Sequence, residues 1–562
     1  MRYLDLAIIL VYLVGITWFG ARFRHGQKSL RDYFLGGRSA PWWAIGLSIV
    51  SAETSTLTII STPALAFAGN LGFLQLVMGY LLGRIVISAL LLPHYFRGEL
   101  FTAYELMRRR FGERVRKLTA SIFLVTRALA EGVRVAAIAI VISVVLGVGQ
   151  TAAIVLIVAL TLFYTFEGGM TAVIWTDVIQ MSLYVFGALV SFFVILGRIP
   201  GGWEHVTAVA GAAHKLTVFD FRFAPTMEFF SRKYTFWAGL AGGCFLTTAS
   251  HGTDQLMVQR LLAARSERQS RAALLSSWVV IAFQFTLFLL IGVALYVYCQ
   301  DGGLTPPAKL DEVYPRFIWT SLPPGVAGLA VAAILAAAMA NLSAALNSLS
   351  STTVVDFFGA RERGARESRS LALARIATVA WGLVLLPIAI RASHSQSVLE
   401  AGLTIASIPS GVLLGVFLLG VLTRKPRERA AMAGVAAGLG AILYVVFATR
   451  IAFTWYVPIG ALATFFAALV ASSFERPLPP EEAGVTPPQG PCGTDDRFMS
   501  SVNFGTLIAP DRSQNPDRVE KGRRNRLPTR VLHEIPRAEG PSQQTTKNDG
   551  LSHWATWMSW LK

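Results

Sequence analysis

Val331–Phe358 reads VAAILAAAMANLSAALNSLSSTTVVDFF. Roughly 20 residues at ~1.5 Å rise cover the ~30 Å hydrocarbon core of a bilayer, so the segment is long enough to span one. One stripe at helical spacing, Ala337, Ala340, Asn341, Ala344 and Ser348, is small or oxygen-bearing rather than greasy. Lipid does not reward such a face, which therefore packs against other helices or lines a polar site. The alanines alone fit close helix packing equally well. Asn341, Ser343, Asn347 and Ser348 together point to a site for an ion or a small ligand.

The composition agrees. The chain of 562 residues is 54% hydrophobic and 15% charged, with a mean hydropathy of +0.53, far too apolar for a soluble globule. Apolar spans recur at 3–21, 43–67, 71–93, 118–147, 150–166, 171–197, 235–259, 273–299, 322–356, 373–391, 398–421, 430–448 and 452–473. They predict an all-α membrane protein of about thirteen transmembrane helices. The first span reads as a retained helix, since it is too long for a cleaved leader, carries Asp5 at its start and is followed by no small-residue cleavage site.

Charge orients the bundle. Arg22, Arg24, Lys28, Arg31 and Arg38 follow the first span, and Arg97, Arg108, Arg109, Arg110, Arg114, Arg116 and Lys117 follow the third. Later basic loops hold Arg260, Arg265, Arg268 and Arg271, then Arg361, Arg363, Arg366 and Arg369, then Arg424, Lys425, Arg427 and Arg429. All fall on one side of a thirteen-span bundle, which the positive-inside rule makes the cytoplasm. The expected topology in the cell membrane has the N-terminus outside and the C-terminus inside, with 198–234 as an external cap. The net charge of +17 is then a topology signal and not a nucleic-acid footprint. The bilayer is the implied partner, and no feature requires an obligate protein partner. Cys244, Cys299 and Cys492 are too scattered for a disulfide framework or a thiolate metal site. From about Glu475 the composition turns to Pro, Gly, Ser, Arg and Asp, which predicts a disordered tail over 475–562.

Three more segments carry polar groups into the bilayer. Leu47–Ala64 (LSIVSAETSTLTIISTPA) is rich in Ser and Thr and contains Glu53. It fits a helix broken near Ser51–Ser55 with free carbonyls facing a cavity, or else a buried helix whose hydroxyls bond the preceding turn. Gly168–Gln180 (GGMTAVIWTDVIQ) places Asp177 about two turns into an apolar span, where it coordinates a cation or pairs with an intramembrane Arg. Gly242–Gln259 (GGCFLTTASHGTDQLMVQ) reads as another interrupted helix. The two interrupted helices each open a run of five spans, the mark of a transporter built from inverted repeats. The expected segments are 1–42 (an extra helix and a loop), 43–197 and 235–421 (the two repeats), 422–474 (two further helices) and the tail.

These motifs resemble the sodium/solute symporter family. The matching pieces are Asp32–Arg38 (DYFLGGR), the Ser/Thr run of the second span, Gly168–Gln180, Thr253–Arg260 (TDQLMVQR) and Ala337–Phe358. The resemblance covers about residues 3 to 474 and implies a five-plus-five inverted-repeat core like that of the bacterial leucine transporter, with sodium as the coupled ion. It places one sodium between the second and ninth spans, on the carbonyls of Ser51, Thr54 and Ala337 and the side chains at positions 340 and 341. Where the family usually has two hydroxyls, this chain has Ala340 and Asn341; the first lacks a side-chain oxygen and the second offers an amide oxygen. Some members have a second ion site, of which Asp177 and Ser343 survive here while the next position is Ala344. Glu53, beside the first site, leaves proton coupling as an alternative.

The solute is expected near the bilayer midplane, where the resemblance points to Thr58, Asp254 and Gln255. Family sugar carriers have Gln and Asn at the first two of these positions, which argues against a sugar. Arg127, Glu131 and Arg134 lie at i, i+4 and i+7 on one face of the fourth span. One Arg neutralises Glu131, and the other either holds the carboxylate of a small organic anion, with Arg134 the candidate, or completes a triad that staples helices. Two rival classes are a membrane sensor, which needs more than the short tail, and an embedded enzyme. His94, His251 and His394 are scattered and show no metal spacing, so catalysis is not expected. Secondary active symport by alternating access is the function these readings predict.

Overall fold

The computed structural model describes residues 3–23, 29–97, 100–146, 148–224, 226–303, 305–306, 310–358, 367–393 and 398–475. His394, the basic residues 361, 363 and 366, and all of the tail except Glu475 lie outside them. Among the described residues the chain is helical, with no strand. In chain order the helices are α1 Tyr3–Ala21, α2 Leu30–Leu35, α3 Trp42–Glu53, α4 Thr56–Ala68, α5 Leu74–Val86, α6 Leu92–Phe96, α7 Ala103–Phe111, α8 Glu113–Leu146, α9 Gln150–Arg198 and α10 Gly202–Ala212. There follow α11 Met227–Ser231, α12 Phe236–Gly252, α13 Gln255–Leu262, α14 Glu267–Gln300, α15 Val313–Ser321, α16 Val326–Thr352, α17 Glu367–Ser393, α18 Val398–Leu422, α19 Glu428–Ala448 and α20 Tyr456–Ser472.

Eight of the described helical stretches are individually long and apolar enough to cross a membrane, and the bent pair α3/α4 raises the number to 9. Four further apolar stretches are not among these nine. They are α8, which carries Arg127, Glu131 and Arg134, the first part of α9, the 17-residue α12 and the described apolar part of α18.

Three breaks shape the bundle. Between α3 and α4 the axis turns by 65° at Thr54 (φ −83°, ψ 106°) and Ser55 (φ −94°, ψ 166°). Ser55 then caps α4: its Oγ accepts from Thr58 N (3.2 Å) while its own N–H donates to Thr58 Oγ1 (3.2 Å). Between α12 and α13 the chain leaves the helix at Thr253 and Asp254, and Asp254 Oδ1 caps α13 by accepting from Leu256 N (2.9 Å). Inside α9, Gly169 adopts φ 53°, ψ −153°, a backbone state open to glycine.

The stripe of small residues on α16 has a packing use. This helix is buried almost throughout and touches α1, α8, α9 and α17. At its start, Asp5 of α1 accepts from Gly325 N (2.7 Å) and Gly328 N (2.6 Å), capping the helix across the interface. The DYFLGGR motif acts at another junction: Phe34 O accepts from Gln259 Nε2 (2.7 Å), and Tyr33 OH meets Thr378 Oγ1 (3.1 Å).

Helix α5 crosses α12 at close range. A Cβ on Gly243 would stand 2.4 Å from Leu76 O. Gly243→Val should therefore force the helices apart and lower the unfolding midpoint in detergent by several degrees, at a cost of about 1–3 kcal/mol. Gly440→Ala, where nothing lies within 4 Å of the added carbon, should leave the midpoint in place.

Candidate ion and solute site

The break after α3 frees two carbonyls. In a continuous helix Ser51 O would accept from Ser55 N, and Thr54 O from Thr58 N, but the cap claims both N–H groups. Both carbonyls face α16, where Asn341 Nδ2 donates to Thr54 O (2.6 Å), Ala337 O (3.0 Å) and Ser51 O (3.4 Å). The structure thus brings Ser51, Thr54, Ala337 and Asn341 together. Ala340 adds no side-chain oxygen, and its carbonyl accepts from Ser343 Oγ (3.0 Å). Nearby, Gln284 Nε2 donates to Thr54 Oγ1 (2.6 Å). Asn341 Oδ1, Ser51 Oγ and Gln284 Oε1 are buried without hydrogen-bond partners. A cage rich in oxygen and short of donors has the chemistry a hard cation prefers.

Glu53, the last residue of α3, is engaged by Arg84 and His251. Its Oε2 accepts from Arg84 (2.5 Å) and lies 3.3 Å from His251 Nε2. Arg84 also donates to Ser277 Oγ (3.2 Å), and His251 Nδ1 meets Ser250 Oγ (2.9 Å). The network ties the ends of both broken helices to α5 and α14.

Asp177 pairs with an intramembrane arginine. Its Oδ2 accepts from Arg260 (2.8 Å) and from Ser48 Oγ (2.6 Å), and Arg260 also donates to Ser48 Oγ (2.9 Å). Arg260 is 1% exposed and belongs to α13, which corrects its count as a loop charge. Arg116 is corrected likewise, for it is buried against Asp356 (2.8 Å). Ser343, whose hydroxyl stays on its own helix, makes no hydrogen bond to Asp177.

The charged face of α8 divides between two carboxylates. Arg134 pairs with Glu131 at 3.2 Å, and Arg127 pairs with Asp254 of the second break. The count of one surplus positive charge on the Arg127–Glu131–Arg134 face is thereby corrected, because Asp254 balances it. Arg134 lines a small cavity, about 10 Å³, room for about one water molecule, with Glu131, Ser55, Thr56, Ala338 and Asn341 among its walls. Thr58 and Gln255 are not among its lining residues: Thr58 serves the cap, and Gln255 bridges Phe101 O (2.9 Å), Ala103 N (2.8 Å) and Ser351 Oγ (3.3 Å). Arg84, Ser48 and Gln284 escaped the sequence reading. A lone Arg in the apolar run of α5 was the available signal, since such a charge needs an acid close by.

The model of the sodium:solute symporter family matches residues 33–438. The chain belongs to that family. Among similar proteins, the human sodium/iodide cotransporter is 29% identical over 450 residues, spanning 78% of this chain and 68% of that one. The sodium/sialic acid symporter SiaT of Proteus mirabilis is 26% identical over 84% of this chain and 96% of its own length. A solved structure of a Na+-coupled sialic acid symporter, substrate-bound and outward-open, superposes with a TM-score of 0.77 at 26% identity, covering 84% of this chain and 98% of that one. A closed conformation of the nucleobase-cation symporter Mhp1 shares the fold, with a TM-score of 0.53 at 12% identity over 79% and 94% of the two chains. This symporter is thus a multi-pass membrane protein that couples sodium to solute movement by alternating access.

Removing one member of the Asp177–Arg260 pair strands a buried charge, worth about 3–5 kcal/mol. Asp177→Asn and Arg260→Met should each lower the unfolding midpoint of the purified symporter markedly, and the double variant should regain most of the loss. Additive losses would show that the pairing contributes nothing.

Proposed function

We propose that this symporter binds one sodium ion at the α3/α4 break, on the carbonyl oxygens of Ser51, Thr54 and Ala337 with the amide oxygen of Asn341. The observation that carries the reading is the convergence of those three carbonyls on one side chain of α16. A hard cation satisfies several carbonyls at once, which no single neutral donor does. With Asp177 engaged by Arg260 and Ser48, one coupled ion per cycle is the stoichiometry proposed.

The four further apolar stretches bring the total to thirteen, with 43–197 and 235–421 as inverted five-helix halves around the two breaks. The basic loops face the cytoplasm, the N-terminus lies outside and 198–234 caps the outer face. Lys215 supports the cap reading: its ammonium donates to Phe67 O (2.7 Å) and Gly69 O (3.1 Å), the carbonyls that end α4.

The proposed solute is a small organic anion held by Arg134, whose guanidinium would share its donors between Glu131 and the solute, because the face carries no surplus charge. Relatives carry iodide, sialic acid and, in the sodium-coupled monocarboxylate transporter 2 of Bos taurus, monocarboxylates. The cavity beside Arg134 holds about one water molecule, about 10 Å³, so a solute is admitted only when the helices around it part further. Its wall includes Asn341, so ion and solute share a boundary and can favour the same conformation. A membrane potential of ~100 mV adds about 2.3 kcal/mol per sodium.

Thermal unfolding in sodium, lithium and potassium at matched ionic strength tests the ion site. Sodium alone should raise the midpoint, and a response indifferent to the cation would sink the assignment. Arg134→Gln, assayed in proteoliposomes with a short monocarboxylate, should weaken solute half-saturation roughly tenfold or more while sodium stabilisation persists. An unchanged half-saturation would leave Arg134 as a helix staple.

A further inference from the structure

The Asn341 carboxamide stands in a place the sodium reading does not explain. The three groups around Nδ2, namely Thr54 O, Ala337 O and Ser51 O, are carbonyls that only accept, so the nitrogen and not the oxygen must face them. An amide nitrogen has two hydrogens and here meets three acceptors, which is why one contact is long, at 3.4 Å. Its own Oδ1 points elsewhere, buried and without a hydrogen-bond partner. The amide therefore does in part what a cation would do in full: it offers positive charge density to two carbonyls left open by the helix break and to Ala337 O of its own helix.

We infer that Asn341 is a tethered substitute for the cation, whose carboxamide turns over when sodium arrives. The inference rests on the ion reading above. On this inference Nδ2 clasps the carbonyls until sodium arrives and so holds the shape of the α3/α4 break. For sodium to bind, those hydrogen bonds must break and the amide must rotate about half a turn, bringing Oδ1 to the ion. The oxygen and nitrogen ends are nearly equal in size, so the exchange needs little room.

Two consequences follow. The empty carrier is more stable than a chain with a hydroxyl at 341, which is too short to reach all three carbonyls. Sodium binds more weakly than it would to such a chain, because it competes with an internal donor whose effective concentration is high.

The test uses the full-length purified protein, with thermal stability titrated by sodium chloride against choline chloride. Asn341→Ser should unfold earlier than wild type in choline and half-saturate at roughly five- to tenfold lower sodium, about the factor set by one net hydrogen bond. Asn341→Thr, which keeps an oxygen ligand, adds no charge and cannot span the three carbonyls, should shift both quantities the same way, and it carries the test if the serine variant does not fold. Unchanged choline stability, or sodium affinity equal to or below wild type in the variants, overturns the switch while leaving the ion site standing. If wild type and both variants ignore sodium, the ion site itself falls and the switch with it. A sodium response in the variants alone would overturn the switch too, since the wild-type amide would then never yield to the ion.

Discussion

A carbonyl freed inside a bilayer has no water to turn to, so a helix that breaks there must find donors or cations within the protein. This symporter depends on meeting that demand twice. At the first break Ser55 and Thr58 bond each other's backbone and side chain, which releases Ser51 O and Thr54 O toward α16. At the second, Asp254 caps α13 and takes Arg127 from α8. The two solutions differ in kind. The first leaves an excess of oxygen, suited to an ion that comes and goes, whereas the second is closed by a charge fixed to the chain.

Buried charges then tie the parts into one register. Glu53 joins Arg84 and His251, Asp177 joins Arg260, Asp356 joins Arg116, and Asp254 joins Arg127. Each links segments distant in sequence, and each member would be costly to leave alone in a low-dielectric interior. Such pairs add little net stability compared with apolar packing, but they penalise every wrong helix arrangement. The glycine contacts between α5 and α12 act beside them, letting backbones approach where apolar side chains have no hydrophobic reason to associate.

Much of this could be read from the chain. Length and apolarity of Val331–Phe358, the Ser/Thr run at Leu47–Ala64 and the motif Thr253–Arg260 pointed to a broken-helix transporter, because backbone satisfaction in lipid allows few other uses for such sequences. The grouping of Ser51, Thr54, Ala337 and Asn341 was reached through family resemblance and not through spacing, since the two segments lie almost three hundred residues apart. Thr58 caps α4 and Gln255 bridges Phe101 O, contacts that depend on rotamer and neighbour and that spacing along the chain does not reveal.

What the sequence alone determined was the medium, the helical class and the places where helices cannot run on, all consequences of local composition acting on the nearest backbone. Only the tertiary structure decided the partners: that Arg260 and Arg116 are interior ion-pair residues, that Asp254 balances Arg127, and that the nitrogen of Asn341 faces the open carbonyls. The physical reason is that a Coulombic pair or a shared cage is set by distance in space. In a bundle whose helices pack out of chain order, that distance is unrelated to separation along the sequence.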